Sequence, residues 1–368
     1  VGKETFERLN MLLSIASFVF VLGVLIFIHE FGHFIVAKKV GIKVEKFSLG
    51  FPPNIFAKKY GETTYCIGII PLGGYVKMAG ENPDEESTGD PREFMSKSVG
   101  QRAMVVFAGP FMNYLLAIAL LVGILYFTGK PILDENRVEI TDVQKDDPAF
   151  KAGIKEGDEI LNIDNKAVYR YDSLSNYIHN RIGKTIALTL LRGKDTLIVD
   201  LKPKKSVVPN LEGGVDTVGL IGVMLGQKII GYNRYSISEA FSKGFITTHI
   251  IVWETVKFLK KLSTGEISTK MIGGPVFIAQ QSGKEARKGA GSLFFFMALL
   301  SVNLAVLNVL PIPVLDGGHL FFLLVEKIKG SPLSVKARMI AQQIGIVLLL
   351  GVIILVTYND ILRAIKGF

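Results

Sequence analysis

The sequence predicts a polytopic α-helical membrane protein with four transmembrane helices, a membrane-associated β-hairpin or loop, and an inserted α+β domain. Three observations carry that prediction. Four segments are apolar over about the 20 residues that crossing a hydrocarbon core requires, or close to it: 11–37, 103–128, 292–312 and 340–358. The chain is 49% apolar with a mean hydropathy of +0.38, which points to several spans beside soluble material rather than one aqueous core of 368 residues. Two intervening stretches, 42–78 and 137–203, carry the β-branched and alternating pattern of strands.

The first span runs from Met11 into FIHEFGHFIV at 27–36. It is too long for a cleaved signal peptide, lacks a small-residue cleavage site and keeps charged chemistry at its end. The fourth span, IAQQIGIVLLLGVIILVTY, is marginal in length but carries no charge. Between spans one and two, 38–102 holds ten Lys/Arg; between spans three and four lie Lys327, Lys329, Lys336 and Arg338. Basic loops mark the cytoplasmic side, so the N-terminus, 129–291 and the C-terminus are expected outside, with few charges nearby (Lys3, Arg8, Arg363, Lys366). The net charge of +9 fits such loops, and no basic stripe interleaved with aromatics points to nucleic acid. The single cysteine, Cys66, excludes an internal disulfide framework and a cysteine-rich zinc site, and reads as a small buried hydrophobe.

Four regions follow. Residues 1–128 hold the first two spans and, at 42–78, a polar-side segment whose TTYCIGIIPLGGYVKM reads as a hairpin or looped strand broken by Pro71, Gly73 and Gly74. An apolar strand with a free edge there could pair with an extended peptide. Residues 129–226 form the inserted domain, 227–291 amphipathic linker helices, and 292–368 the last two spans. Within 236–261 the aromatic series Phe241, Phe245, Trp253 and Phe258 suits a helix at the membrane interface, or one packed on the inserted domain. His179 and His249 are expected in surface or packing roles.

The chemistry starts at HEFGH. His29 and His33 are at i and i+4, on one helical face one turn apart, where two imidazoles can share a zinc ion. Glu30 sits about 100° round the helix from His29, beside the ion without binding it, where a general base for a metal-activated water belongs. Charged groups in a span cost about 2.5–3.5 kcal/mol each and need partners; a metal partners both imidazoles. Zinc needs a third protein ligand. Asp316 and His319 in NVLPIPVLDGGHL are the candidates, Asp316 slightly favoured, because Pro311 and Pro313 break the helix and Gly317 and Gly318 permit unusual backbone. Both motifs lie at the cytoplasmic ends of their spans.

Together these residues resemble the site-2 protease family of intramembrane zinc metalloproteases (peptidase type M50), in its bacterial regulator-of-sigma-E protease (RseP-like) branch. The resemblance is carried by HEFGH, FSLGF at 47–51, IPLGGYVKM at 70–78, FAGPFMN at 107–113, GGP at 273–275 and NVLPIPVLDGG at 308–318. The series PAFKAGIKEGDEILNIDNKAV resembles a PDZ domain over 137–203, and GLIGV at 219–223 resembles its carboxylate-binding loop and strand, placed last as in the circularly permuted bacterial form. The resemblance implies one Zn2+ per chain on His29, His33 and Asp316, with Glu30 as catalytic base. It implies that Asn308 helps position substrate or the polarised carbonyl, and that the 68–76 strand with Gly73 and Gly74 holds unwound substrate. Asn113 would be a structural or supporting residue behind the ligands. Substrates would be single-pass transmembrane proteins already trimmed by a site-1 protease, such as anti-sigma factors or remnant signal peptides. The site would lie near the cytoplasmic face of the bacterial inner membrane, with the PDZ domain outside. Two departures stand out: Gly50-Phe51-Pro52 where the family often has Gly-Phe-Gly, and one PDZ unit where some relatives carry two.

Overall fold

A computed structural model describes residues 2–81, 88–168, 171–209, 215–267 and 272–366. The chain divides into two compact units, one from residues 1–128 with 235–368 and one from 129–234.

The first unit begins with α1 (Gly2–Lys39), β1 (Val44–Tyr60), β2 (Thr63–Met78) and α2 (Val99–Thr128). The two strands pair antiparallel, and their pairing doubles back: Phe47 faces both Val76 and Tyr65, and Ser48 faces both Tyr75 and Cys66. The expected hairpin is therefore a broader sheet than TTYCIGIIPLGGYVKM alone suggested. Its inner part is buried at Val44, Phe47, Val76 and Met78, whereas Phe51, Ile55, Phe56, Ile69 and Ile70 near the bends are exposed. Residues 74–77 pair with 46–49, and Gly74 lies against Glu30 and Ile26 of α1. Cys66 is buried and unpaired.

The second unit contains β3 (Lys130–Val143), α3 (Pro148–Lys151), β4 (Glu159–Ile163), β5 (Lys166–Ala167), α4 (Tyr171–His179), β6 (Ile186–Arg192), β7 (Asp195–Leu201), β8 (Lys204–Pro209), β9 (Val215–Leu220) and β10 (Val223–Asn233). The main sheet runs β10-β3-β4-β6-β7, with β5 beside β4, and β8–β9 form a separate hairpin. The alternation in IALTLLR buries Ile186, Leu188 and Leu190, which pack with Ile140, Ile160 and Leu174 as the core. The loop-and-strand expected at 219–223 is shifted. Gly219 and Leu220 still belong to β9, the loop is Ile221–Gly222, and β10 starts at Val223. Residues 227–233, expected as the start of linker helices, complete β10 because their backbone pairs with Lys130–Val138 of β3.

The chain then returns to the first unit with α5 (Ile237–Ser263), α6 (Pro275–Lys288), α7 (Ala290–Val309), α8 (Asp316–Lys329) and α9 (Val335–Lys366). Ser236 and Glu239 close α5 with a reciprocal capping box. This helix does not present its aromatic face inward. Ala240, Gly244 and Thr248 are buried against α2, while Phe241, Phe245, Ile250 and Trp253 are exposed. His249 packs on α2, its Nε2 3.2 Å from the Tyr114 hydroxyl. Asp360 of α9 accepts from the Gly274 and Phe277 amides at 3.1 and 2.9 Å, holding the N-terminus of α6.

Among the described residues, four helices are long and apolar enough to cross a membrane: Arg8–Lys39, Val99–Thr128, Ala290–Val309 and Val335–Leu362. The third stops three residues before the expected 312, because Leu310 turns out of the helix ahead of Pro311 and Pro313.

Candidate metal centre

The i, i+4 spacing on α1 brings the His29 and His33 rings edge to face, with their Nε2 atoms 3.2 Å apart. Asp316, the first residue of α8, meets them from the other side: Oδ2 is 3.1 Å from His29 Nε2 and Oδ1 3.6 Å from His33 Nε2. His319, the other candidate ligand, lines the same cavity but is outside this donor cluster.

The hydrogen bonds behind the rings decide which way their lone pairs point. His33 Nδ1 donates to the Val105 carbonyl at 2.8 Å, so in the neutral ring the Nε2 lone pair faces the centre. The side-chain amide of Asn113 is 3.3 Å from His29 Nδ1, drawn with its nitrogen toward the ring, which leaves its buried Oδ1 without a partner. Turning the amide over, a choice that heavy atoms alone do not dictate, lets Oδ1 accept from His29 Nδ1–H. Both Nε2 lone pairs then converge on a carboxylate whose Oδ2 is itself buried and unsatisfied. With both rings neutral, these three donor atoms lie 3.1–3.6 Å apart and repel one another unless a cation lies between. A tetrahedral zinc at about 2.0–2.1 Å from each donor sets them about 3.3 Å apart, which the observed 3.1–3.6 Å fits.

The backbone of α2 forms the floor of this cradle. A Cβ on Gly109 would stand 2.3 Å from His33 Nε2 and 2.8 Å from His29 Cε1, filling the donor site. Gly32, inside HEFGH, lets α1 approach until a Cβ there would be 2.4 Å from the Ala108 carbonyl oxygen. Glu30 lies beside the donors without joining them, with the Val76 backbone amide facing its carboxylate and its Cγ close to Gly74. A cavity of about 280 Å³ opens here, walled by His29, Glu30, His33, Tyr75, Asn308 and Asp316. Of the two glycines expected at the substrate strand, Gly74 packs by Glu30 and the Ser48 carbonyl, whereas Gly73 lies under the Phe51 ring.

Sequence reasoning missed Gly109, although FAGPFMN was singled out around it. It also missed the Val105 carbonyl, for which no side-chain pattern exists, and a buried Arg102–Glu326 pair, of which Arg102 was counted among the basic residues of 38–102 and Glu326 was not considered.

An HExxH helix completed by an aspartate from a second apolar segment defines a zinc metallopeptidase. Residues 17–352 match the family model described as Peptidase family M50, and the chain belongs to that family. A Clostridium perfringens protein named as a zinc metalloprotease is 38% identical, over 92% of this chain and 95% of its own. Zinc metalloprotease RasP of Geobacillus kaustophilus is 30% identical, over 95% and 97% respectively. A solved PDZ domain of an SdrC-like protein from Listeria monocytogenes is similar at 26% identity over 26% of this chain and 92% of that one, with a TM-score of 0.20.

Proposed function

We propose that this metalloprotease cuts single-pass membrane proteins within or beside their transmembrane segment, as a step of regulated intramembrane proteolysis. The observation that carries the reading is the placement of the donor cluster: His29 and His33 lie on a helix apolar enough to span, floored by Gly109 of a second such helix. His29, His33 and Asp316 would hold the zinc ion. When bound, zinc lowers the pKa of a water to about 7 and polarises a carbonyl. Glu30 takes the proton from the attacking water and passes it to the leaving amide nitrogen, and the Val76 amide orients its carboxylate for that task.

A transmembrane helix hides its peptide bonds behind its own hydrogen bonds, so it must unwind before hydrolysis. The stretch of β2 at Gly74 and Tyr75 supplies replacement backbone partners within reach of Glu30. Asn308, at the end of α7 and in the same cavity wall, positions the scissile carbonyl. The substrates are anti-sigma factors or remnant signal peptides pre-trimmed by a site-1 protease. The enzyme sits in the bacterial inner membrane with the 129–234 unit outside and the metal near the cytoplasmic face.

Glu30→Gln tests the assignment. It is expected to keep zinc while cleavage of a single-spanning reporter falls by at least about 10²–10⁴-fold, the usual contribution of a general base. Undiminished cleavage overturns the role of Glu30.

A further inference from the structure

Asp316 is the one donor that α1 does not carry, and it opens a short helix that packs chiefly on α2 and less on α7. The approach to it is tight. Gly317 and Gly318 press on the carbonyls of Val309, Leu310 and Ile312, and Val314 takes φ +86°, a region that β-branched residues avoid. Strain of this kind persists only where the surroundings over-determine it, so the ligand needs an anchor beyond its own loop.

That anchor is at the far end of α8. Glu326 meets Arg102 of α2 through two parallel contacts, Nη2 to Oε1 at 2.6 Å and Nη1 to Oε2 at 3.1 Å. The two side chains are 12% and 5% exposed. Arg102 is itself fixed, its Nε donating to the Lys97 carbonyl at 3.1 Å and Nη1 reaching Met95 Sδ. An apolar pair would hold two helices together about as well, but it would not specify their relative rotation and height. A guanidinium–carboxylate fork does.

We infer that Arg102 and Glu326 are positioning residues for the zinc centre: their fork sets α8 along α2 so that Asp316 meets the imidazoles carried by α1. The inference rests on the zinc assignment made above. The same α2 floors the site with Gly109 and supports His29 through Asn113, so all three ligands are referenced to one helix. Asp316 and Glu326 are ten residues apart, about 15 Å of helix. A tilt of about 4° over that lever moves the carboxylate by about 1 Å, several times the tolerance of about 0.2 Å in metal–ligand distance.

The test uses the full chain in detergent and measures zinc affinity by chelator competition, the melting temperature, and kcat and KM on a membrane reporter. Arg102→Met with Glu326→Leu removes both charges together and leaves no buried unpaired ion. It is expected to melt near the wild type, bind zinc about 10–100-fold more weakly, and lose kcat with KM unchanged. Arg102→Lys keeps the charge but not the fork, and is expected to weaken zinc in the same direction. Wild-type zinc affinity in either variant overturns the inference, as does a loss of affinity that merely follows the melting temperature. A wild-type chain that binds no zinc overturns the metal centre itself, and the inference with it.

Discussion

Two carboxylate sites, one in each unit, are buried in opposite ways. In the 129–234 unit, Asp158 and Glu159 are almost wholly buried, and each is answered by cations of the same unit: Arg192 holds Asp158, while Arg137 and Lys228 hold Glu159. In the other unit, Asp316 Oδ2 is buried with no hydrogen-bond partner and faces two imidazole lone pairs. A buried acid with its cation built in is architecture. A buried acid turned toward other acceptors is a place left for something the chain does not encode, here a metal. The contrast lies in the partner that each buried oxygen meets.

Gly109→Ala is the most severe way to break the comparison. The added methyl would stand 2.3 Å from His33 Nε2, inside any real contact distance, and neither helix can yield without parting α1 from α2 at Gly32. Bound zinc, measured by elemental analysis, is expected to fall to near zero and cleavage with it. Retention of zinc would mean that α2 does not floor the site.

A finer cut concerns which atom of Asn113 faces His29. If Oδ1 accepts from Nδ1–H, Asn113→Leu should weaken zinc about 10–100-fold, while Asn113→Asp should keep it or bind more tightly, since a carboxylate accepts the same proton. If instead the nitrogen donates to His29 Nδ1, Asn113→Asp should be the damaging variant. Chelator competition on the pair separates the two orientations.

The parts of the site that a local pattern encodes were legible. His29, Glu30 and His33 follow from helical spacing alone, and Asp316 followed from the scarcity of other ligands near the spans together with the prolines that break the helix there. The choice between Asp316 and His319 needed three dimensions, because both can sit beside a helix start. Gly109 was invisible as a constraint, since a glycine in an apolar span carries no periodic signal. Arg102 and Glu326 are 224 residues apart, and each reads singly as a charge at a span's edge. The second unit lost its last strand to the same blindness. Residues 227–233, QKIIGYN, do not alternate, and their partner β3 lies about ninety residues upstream. The aromatic residues of α5 left its surroundings open in the sequence, and the structure exposes Phe241, Phe245 and Trp253.

The smallest expected effect lies in the unit whose acids are paired, and it sharpens the comparison by leaving the metal alone. Burial pushes the Asp158 and Glu159 carboxyls up. The Arg192 guanidinium and the Lys155 amide on Asp158, and Arg137 and Lys228 on Glu159, outweigh it, so both sit below their ordinary range. Groups whose folded pKa is depressed add stability that is full above their unfolded values of about 3.9 and 4.3 and fades as pH falls through the lower folded ones. Hydrogen exchange on the intact chain should therefore show protection in β4 and β6 holding at pH 6 and declining below about pH 4. Asp158→Asn removes the charge that Arg192 answers. Because that guanidinium is about a third exposed, water can replace part of the pair, and a loss of about 1–3 kcal/mol is expected rather than the larger cost of a sealed pair. Zinc affinity should not move. Weakened zinc binding in Asp158→Asn would show that these paired acids serve the metal centre after all, and the division drawn between the two kinds of site would fail.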